Sequence, residues 1–259
     1  MTFGLQSRPE SVVYECTALV GVNKAGTLRA DASGYYPVIL GAYEYPNSAG
    51  AIYSFEDAKG LFENSGSLMR RIASGNCRGE YGHPRKQVGW SNRDFINRVC
   101  DIYEPNISHH IRKVWIERNV TLGNKRVPIV IMGEVKPAGP MGHALRESFE
   151  NSSEDVCFSV RSLTKDRMMG SQVIKGMLAL ITWDFVNEPG IDIARKYVNP
   201  ALESRSESHT FTRTQFDLAR KDAVKASNGM ESSGVKMIDE LSNRLGWGSD
   251  TILPPSARW

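Results

Sequence analysis

Three residues of this 259-residue chain could do chemistry together: a serine, a histidine and an aspartate, each in a stretch that constrains it. Ser159 lies in the middle of residues 154–162 (EDVCFSVRS), which reads as a short buried strand. Side chains alternate faces along a strand, so Ser159 and Arg161 point one way while Phe158 and Val160 point the other. A serine hydroxyl is a poor nucleophile until a neighbouring base takes its proton, and that base works best with a pKa near neutrality. There are five histidines to choose from, and His83 stands out because it ends an extended piece directly before Pro84. His109 and His110 are neighbours on a strand and therefore face opposite sides. His143 falls on a surface helix and His209 near the carboxy terminus. The third residue, Asp184, is an acid inside the apolar run 178–186 (LALITWDFV). An unpaired buried carboxylate costs several kcal/mol, so a partner is required there, either an imidazole N–H or an arginine. Each residue also has a plainer reading: Ser159 as a small core residue, His83 as a turn residue and Asp184 as half of an ion pair.

Other chemistries find less support. A metal site could draw on Cys77, His83, Cys100, His109 and His110, but their intervals are irregular and none has the short spacing that zinc favours, so no metal is expected. No phosphate-binding glycine loop of the Walker or dinucleotide type is present. The nucleophile elbow of the α/β hydrolases is missing too, since Ser159 is flanked two residues away by Cys157 and Arg161 rather than by glycines.

The elements that must position these residues alternate between strands and helices. Strands are expected at 11–20, 35–40, 107–117, 127–135 and 177–186 from their β-branched and aromatic content, with the serine strand at 154–162. Ser54 and Ser91 are good helix caps, before apolar-periodic segments at 55–72 (interrupted near Gly60 and Gly66) and 91–103. A short helix fits 142–150. After Pro200 the chain becomes rich in serine and charge, with modest helical patterns near 212–226 and 234–245. The organisation expected is an α+β domain over residues 1–199 and a loosely attached, flexible tail over 200–259.

The totals narrow the class further. With 32 basic and 29 acidic residues the net charge is +3, too mild to imply nucleic acid. No apolar run approaches the roughly 18 to 20 residues of a membrane span. The amino terminus has no basic segment followed by an apolar one, so no export leader is expected. Four scattered cysteines include no close pair, and Cys16, Cys77 and Cys157 lie in or beside β-like stretches as reduced, buried thiols.

The order of motifs is a histidine in GEYGHP (79–84), a serine in FSVR (158–161) and an acid in DFVNEP (184–189). This resembles the prohead maturation proteases of tailed bacteriophages, which are similar to the herpesvirus assemblins, and the resemblance covers roughly residues 77–189. It implies that His83 is the general base, Ser159 the nucleophile and Asp184 the orienting third member, a position that assemblins fill with a second histidine. Arg161 resembles the arginine that these proteases keep just after the serine, and is implied to hold the oxyanion or a bound water. Many relatives place a small residue or glycine directly after the serine, where this chain has Val160. The implied fold is a mostly antiparallel β-barrel with peripheral helices. The implied activity is that of a serine endopeptidase, without cofactor, which cleaves scaffold and capsid precursor proteins after glutamate inside the prohead in the host cytoplasm. It would also cleave itself, with Glu203 and Glu231 as candidate sites in the tail. A basic pocket for the substrate glutamate would draw on Arg85, Lys86, Arg112, Lys113 or Arg161, and a homodimer or higher oligomer fits the family. Two other readings stand beside it: a non-enzymatic capsid scaffold or assembly factor on the same fold, and a β-rich nucleic-acid-binding protein supported only by its lysines and arginines.

Overall fold

Long β-branched runs dominate the middle of the chain, and their pairing determines where the helices can go. The computed structural model describes residues 10–20, 29–47, 49–63, 66–122, 125–151, 154–187, 207–226 and 233–247. In chain order these form β1 (Ser11–Val20), β2 (Tyr36–Tyr43), β3 (Ile52–Ser54), α1 (Phe55–Ala58), α2 (Ser67–Ala73), β4 (Arg78–Glu80) and α3 (Asn92–Cys100). There follow β5 (Ile107–Leu122), β6 (Lys125–Pro137), α4 (Gly142–Glu150), β7 (Cys157–Met169), β8 (Gln172–Val186), β9 (Glu207–Thr212), α5 (Arg213–Ala226) and α6 (Ser233–Arg244).

The strands make two sheets, one in the order β3-β8-β7-β1-β9 and the other in the order β2-β6-β5-β4. Neighbouring strands are antiparallel except β3 against β8. Leu40 and Ile131 from the four-stranded sheet share a core with Phe158, Val160, Trp183 and Phe185 from the five-stranded one. A second core covers the other face of the five-stranded sheet, where Leu163 and Ile181 meet Phe95 of α3, Phe216 of α5 and Leu241 of α6. Strand alternation decides which core each residue enters. Phe158 and Val160 fill the space between the sheets, so Ser159 and Arg161 lie on the helix-covered face.

Helix boundaries follow their caps. Ser91 accepts from the Asp94 backbone N–H while the Asp94 carboxylate accepts from the Ser91 backbone N–H, a reciprocal capping box. The helix stops at Cys100, short of the expected Tyr103, and buries Phe95, Ile96, Val99 and Cys100. Ser54 caps α1, accepting from the Asp57 backbone N–H.

Two expectations need correction. The strands do not close into a barrel among the described residues. The residue directly after β4 meets β8 through one parallel bridge, Tyr81 to Phe185. β4 is too short to extend a ladder there, because Gly82 takes a left-handed turn (φ +78°) and Pro84 offers no N–H. The carboxy-terminal segment, expected as a loose tail, is packed wherever it is described. β9 runs antiparallel to β1 from Ser11↔Thr212 to Cys16↔Glu207, and Phe211, Phe216, Ala219, Ile238, Leu241 and Trp247 are buried in the second core. Both helices have one apolar face, and α3 and the five-stranded sheet supply the surface that covers it.

If this segment is part of the domain, Phe216→Ala should remove about 3 to 5 kcal/mol of stability, since Phe216 is 1% exposed. Thermal denaturation should then show a midpoint lower by several degrees, whereas an unchanged midpoint would mean that the helices contribute no core.

Candidate active site

The β7–β8 register places Ser159 directly opposite Asp184, so both side chains emerge on the same face of the sheet. The histidine arrives from β4. A Cβ on Gly79 would lie 2.1 Å from the Trp183 carbonyl oxygen and 2.3 Å from His109 Nε2, so only glycine lets β4 come this close to β8. The Gly82 N–H then donates to the Phe185 carbonyl at 2.7 Å, and the Tyr81 ring stacks on Phe185 with centroids 5.1 Å apart. This turn delivers His83 over the strand pair, and the Tyr14 hydroxyl donates to the Pro84 carbonyl at 3.4 Å behind it.

His83 Nδ1 lies 2.9 Å from Asp184 Oδ2, and His83 Nε2 is hydrogen-bonded to the Ser159 hydroxyl. An ionised carboxylate only accepts, so Nδ1 carries the proton and Nε2 is left as the acceptor for the Ser159 O–H. The hydroxyl is thus aligned to lose its proton to a base whose tautomer the acid fixes. Ser159 and Asp184 have no exposed surface and the His83 side chain is 10% exposed.

Arg161 is also in this cluster, though not where the resemblance puts it. Its guanidinium has no exposed surface and donates to Asp184 from Nε (2.8 Å) and from Nη2 (2.7 Å). Nη2 also pairs with Glu80 Oε1 at 2.9 Å, and Nη1 donates to the Asp101 carbonyl at 2.9 Å. The arginine therefore supports the acid from beneath and is not a donor to an oxyanion, because the two carboxylates and that carbonyl hold its fork inside the protein. Burial alone would raise the Asp184 pKa, but the charge and hydrogen bonds of Arg161 and His83 outweigh it and hold the carboxyl well below the usual range. Burial likewise opposes the charge on Arg161, and Asp184 and Glu80 more than restore it.

Glu80 is the participant that sequence reasoning missed. It accepts from Arg98 at both oxygens, from Arg161 and from the Tyr103 N–H (2.9 Å), while its own N–H donates to Asp184 Oδ1 (3.0 Å). The available signal was its place in GEYGHP, three residues before His83 on a strand that packs inward. His109 supports the same wall. It is fully buried between the Ser108 hydroxyl and the Trp183 carbonyl (2.8 and 3.0 Å), and burial pushes its pKa down to about 4.

The remaining candidates are dispersed. Arg112 pairs with Asp31 and Glu134, and Lys113 lies over the Trp115 ring. Arg85 and Lys86 directly follow the histidine turn; Arg85 is exposed and Lys86 donates to Asn92 Oδ1 at 2.6 Å. His110 sits between the Tyr35 hydroxyl and the Gly75 carbonyl, and His143 against the Pro140 carbonyl. Cys77, Cys100 and Cys157 are buried free thiols, and burial pushes Cys100 up to about 12. The Cys16 side chain, Glu203 and Glu231 lie outside the described residues. Among the described residues no group of three or more His, Cys, Asp or Glu could hold a metal ion, and no helix is long and apolar enough to cross a membrane.

Comparison with known proteins gives three findings. The model of the Peptidase S80 family matches residues 14–241. A capsid maturation protease of Pseudomonas phage phiKZ is 34% identical over 252 residues, which is 94% of this chain and 92% of the relative. Among solved structures, the capsid assembly protease of bacteriophage T4 is similar at a TM-score of 0.46 and 14% identity, over 69% of this chain and 99% of that one.

Two outcomes test this geometry. Gly79→Ala should push β4 off β8 and lower the thermal midpoint sharply; a fully stable variant would contradict the close approach. His109 is neutral when folded and titrates near pH 6.5 when unfolded. Its contribution is therefore complete above pH 6.5 and lost as the pH falls toward about 4, by up to about 3 kcal/mol. Urea unfolding across that window should show the decline, and His109→Gln should flatten it.

Proposed function

The chain belongs to the Peptidase S80 family, and from that premise we propose that it is a serine endopeptidase of phage head maturation. One observation carries the reading: a buried, hydrogen-bonded series from the Ser159 hydroxyl through His83 to Asp184. Ser159 Oγ attacks the scissile carbonyl as His83 Nε2 takes its proton, giving a tetrahedral intermediate. Asp184 fixes the imidazole tautomer and stabilises the imidazolium. The same proton then passes from Nε2 to the leaving amine, and water resolves the acyl-enzyme by the same base. Arg161 supports the acid.

The relative is named a capsid maturation protease, and capsid precursor and scaffold proteins inside the prohead are the corresponding substrates here. The two sheets, meeting at one corner where β4 touches β8, are read as an opened relative of the assemblin-like barrel. For cleavage after glutamate, Arg85 and Lys86 are the proposed pocket cations. They follow His83 in sequence, whereas Arg112 is held by two carboxylates, Lys113 lies over Trp115 and Arg161 is buried. Self-cleavage after Glu203 and Glu231 completes the proposal.

A fluorophosphonate probe should label the wild type and not Ser159→Ala, and peptide cleavage should fall by about 10⁴-fold or more in the variant. Intact mass after co-expression with capsid protein should show cuts after Glu203 or Glu231 in the wild type alone. Cuts at the same bonds in Ser159→Ala would remove this serine from the mechanism.

A further inference from the structure

Arg161 creates an electrostatic difficulty for the triad. An aspartate helps a histidine base because its negative charge stabilises the imidazolium that forms during proton transfer. Here both Asp184 oxygens carry the same guanidinium, at 2.8 and 2.7 Å, and neither side chain has exposed surface. A neutralised Asp184–Arg161 pair would leave little field for His83.

Glu80 offsets the guanidinium. Its carboxylate is 2.9 Å from Arg161 Nη2 and has no exposed surface. On its far side Arg98 of α3 grips both Glu80 oxygens, and Arg98 is the member of this pair that reaches solvent, with 18% of its side chain exposed. The charges therefore alternate outward from the imidazole as Asp184, Arg161, Glu80 and Arg98, with a net charge of zero.

We propose that Glu80 and Arg98 are positioning residues that set the charge felt by His83. Glu80 offsets Arg161 so that the Asp184 charge acts on the imidazole, and Arg98 limits Glu80 from the solvent side. The proposal rests on the Ser159–His83–Asp184 reading.

Other ionisable groups face this series from every packed element. His109 on β5 acts on Asp184 and Arg161, Tyr14 on β1 and Arg71 on α2 act on Arg161, and His209 on β9 stacks on the Tyr14 ring. Arg85 and Lys86 follow His83 on its own turn, and at the end of α3 Cys100 lies in the field of Arg161 and Asp101. Burial keeps the His109 imidazole and the Cys100 thiol neutral around pH 7. Arg71 and Asp101 stay unchanged across the variants, and Glu80 and Arg98, which are ion-paired within the series itself, are the charges to vary.

The test is the titration of His83 in the full-length Ser159→Ala protein, followed by imidazole NMR and assigned by the signal lost in His83→Gln. Glu80→Gln removes a negative charge and should lower the His83 midpoint by about one to two pH units, the size expected for a charge on the order of 10 Å away or less at an effective dielectric near 20. Arg98→Gln removes a positive charge from further out and should raise the midpoint by a smaller amount. The double variant restores the net charge and should return toward the parent value. With Ser159 intact, the acid limb of kcat/KM should move in the same directions. A loss of packing alone would not move the two single variants oppositely, so shifts in one direction, or folded variants with no shift, overturn the proposal. If Glu80→Gln does not fold, the upward shift in Arg98→Gln decides alone. The two readings fail separately: Ser159-independent cleavage sinks the triad whatever the titration shows, while Ser159-dependent cleavage with unmoved midpoints sinks only the roles of Glu80 and Arg98.

Discussion

A carboxylate without solvent contact has to be answered by donors on every side, and Asp184 is answered by Arg161, His83 and the Glu80 N–H. Each donor comes from a different part of the chain: β7, the turn after β4, and β4 itself. Satisfying one buried charge thus ties three segments together, and the site geometry follows from that demand. The arrangement is unforgiving, because removing one partner of a buried ion pair strands the other, at a cost of about 3 to 5 kcal/mol. Polar groups so deep add little net stability compared with an apolar core of the same volume, so their value lies in the single arrangement they enforce.

That demand is met only because two backbones nearly touch. Gly79 brings β4 against the Trp183 carbonyl, and the same carbonyl accepts from His109. Thr182 Oγ1 donates to the Arg78 carbonyl at 2.7 Å, so side chains stitch the two sheets where no ladder exists. The sheets can then differ in direction and still share an edge at the site. An opened corner of this kind leaves His83 on a turn, held by its neighbours and with a small exposed surface.

Much of this was legible in the sequence because it depends on local rules. Alternation around Ser159 gave the face shared with Arg161, and the serine caps at Ser54 and Ser91 gave two helix starts. Asp184 announced itself as an acid in an apolar run. The register that sets Ser159 opposite Asp184 was not legible, since it depends on the turn at Gly170 and two bulges in the β7–β8 ladder. The outer half of that ribbon was missed too: residues 165–169 are exposed and have no core to impose an apolar pattern. The setting of Arg161 was not legible, because sequence order says nothing about which carboxylates surround a guanidinium. Residues 200–259 read as a tail because they are rich in serine and charge and their helical patterns are modest. The surface that covers the apolar faces of these helices comes from α3, more than a hundred residues earlier.

The pairing of β9 with β1 has a consequence for how a processed molecule would look. A break after Glu203 falls between β8 and β9, yet residues 207–212 remain zipped to β1 through six register pairs, and the helices beyond keep their apolar faces in the second core. Such a break would leave a nicked protein whose two pieces are held by the β1–β9 pairing and the second core until it is denatured. The separated fragment would be found in equal amounts with the rest of the enzyme, not lost from it.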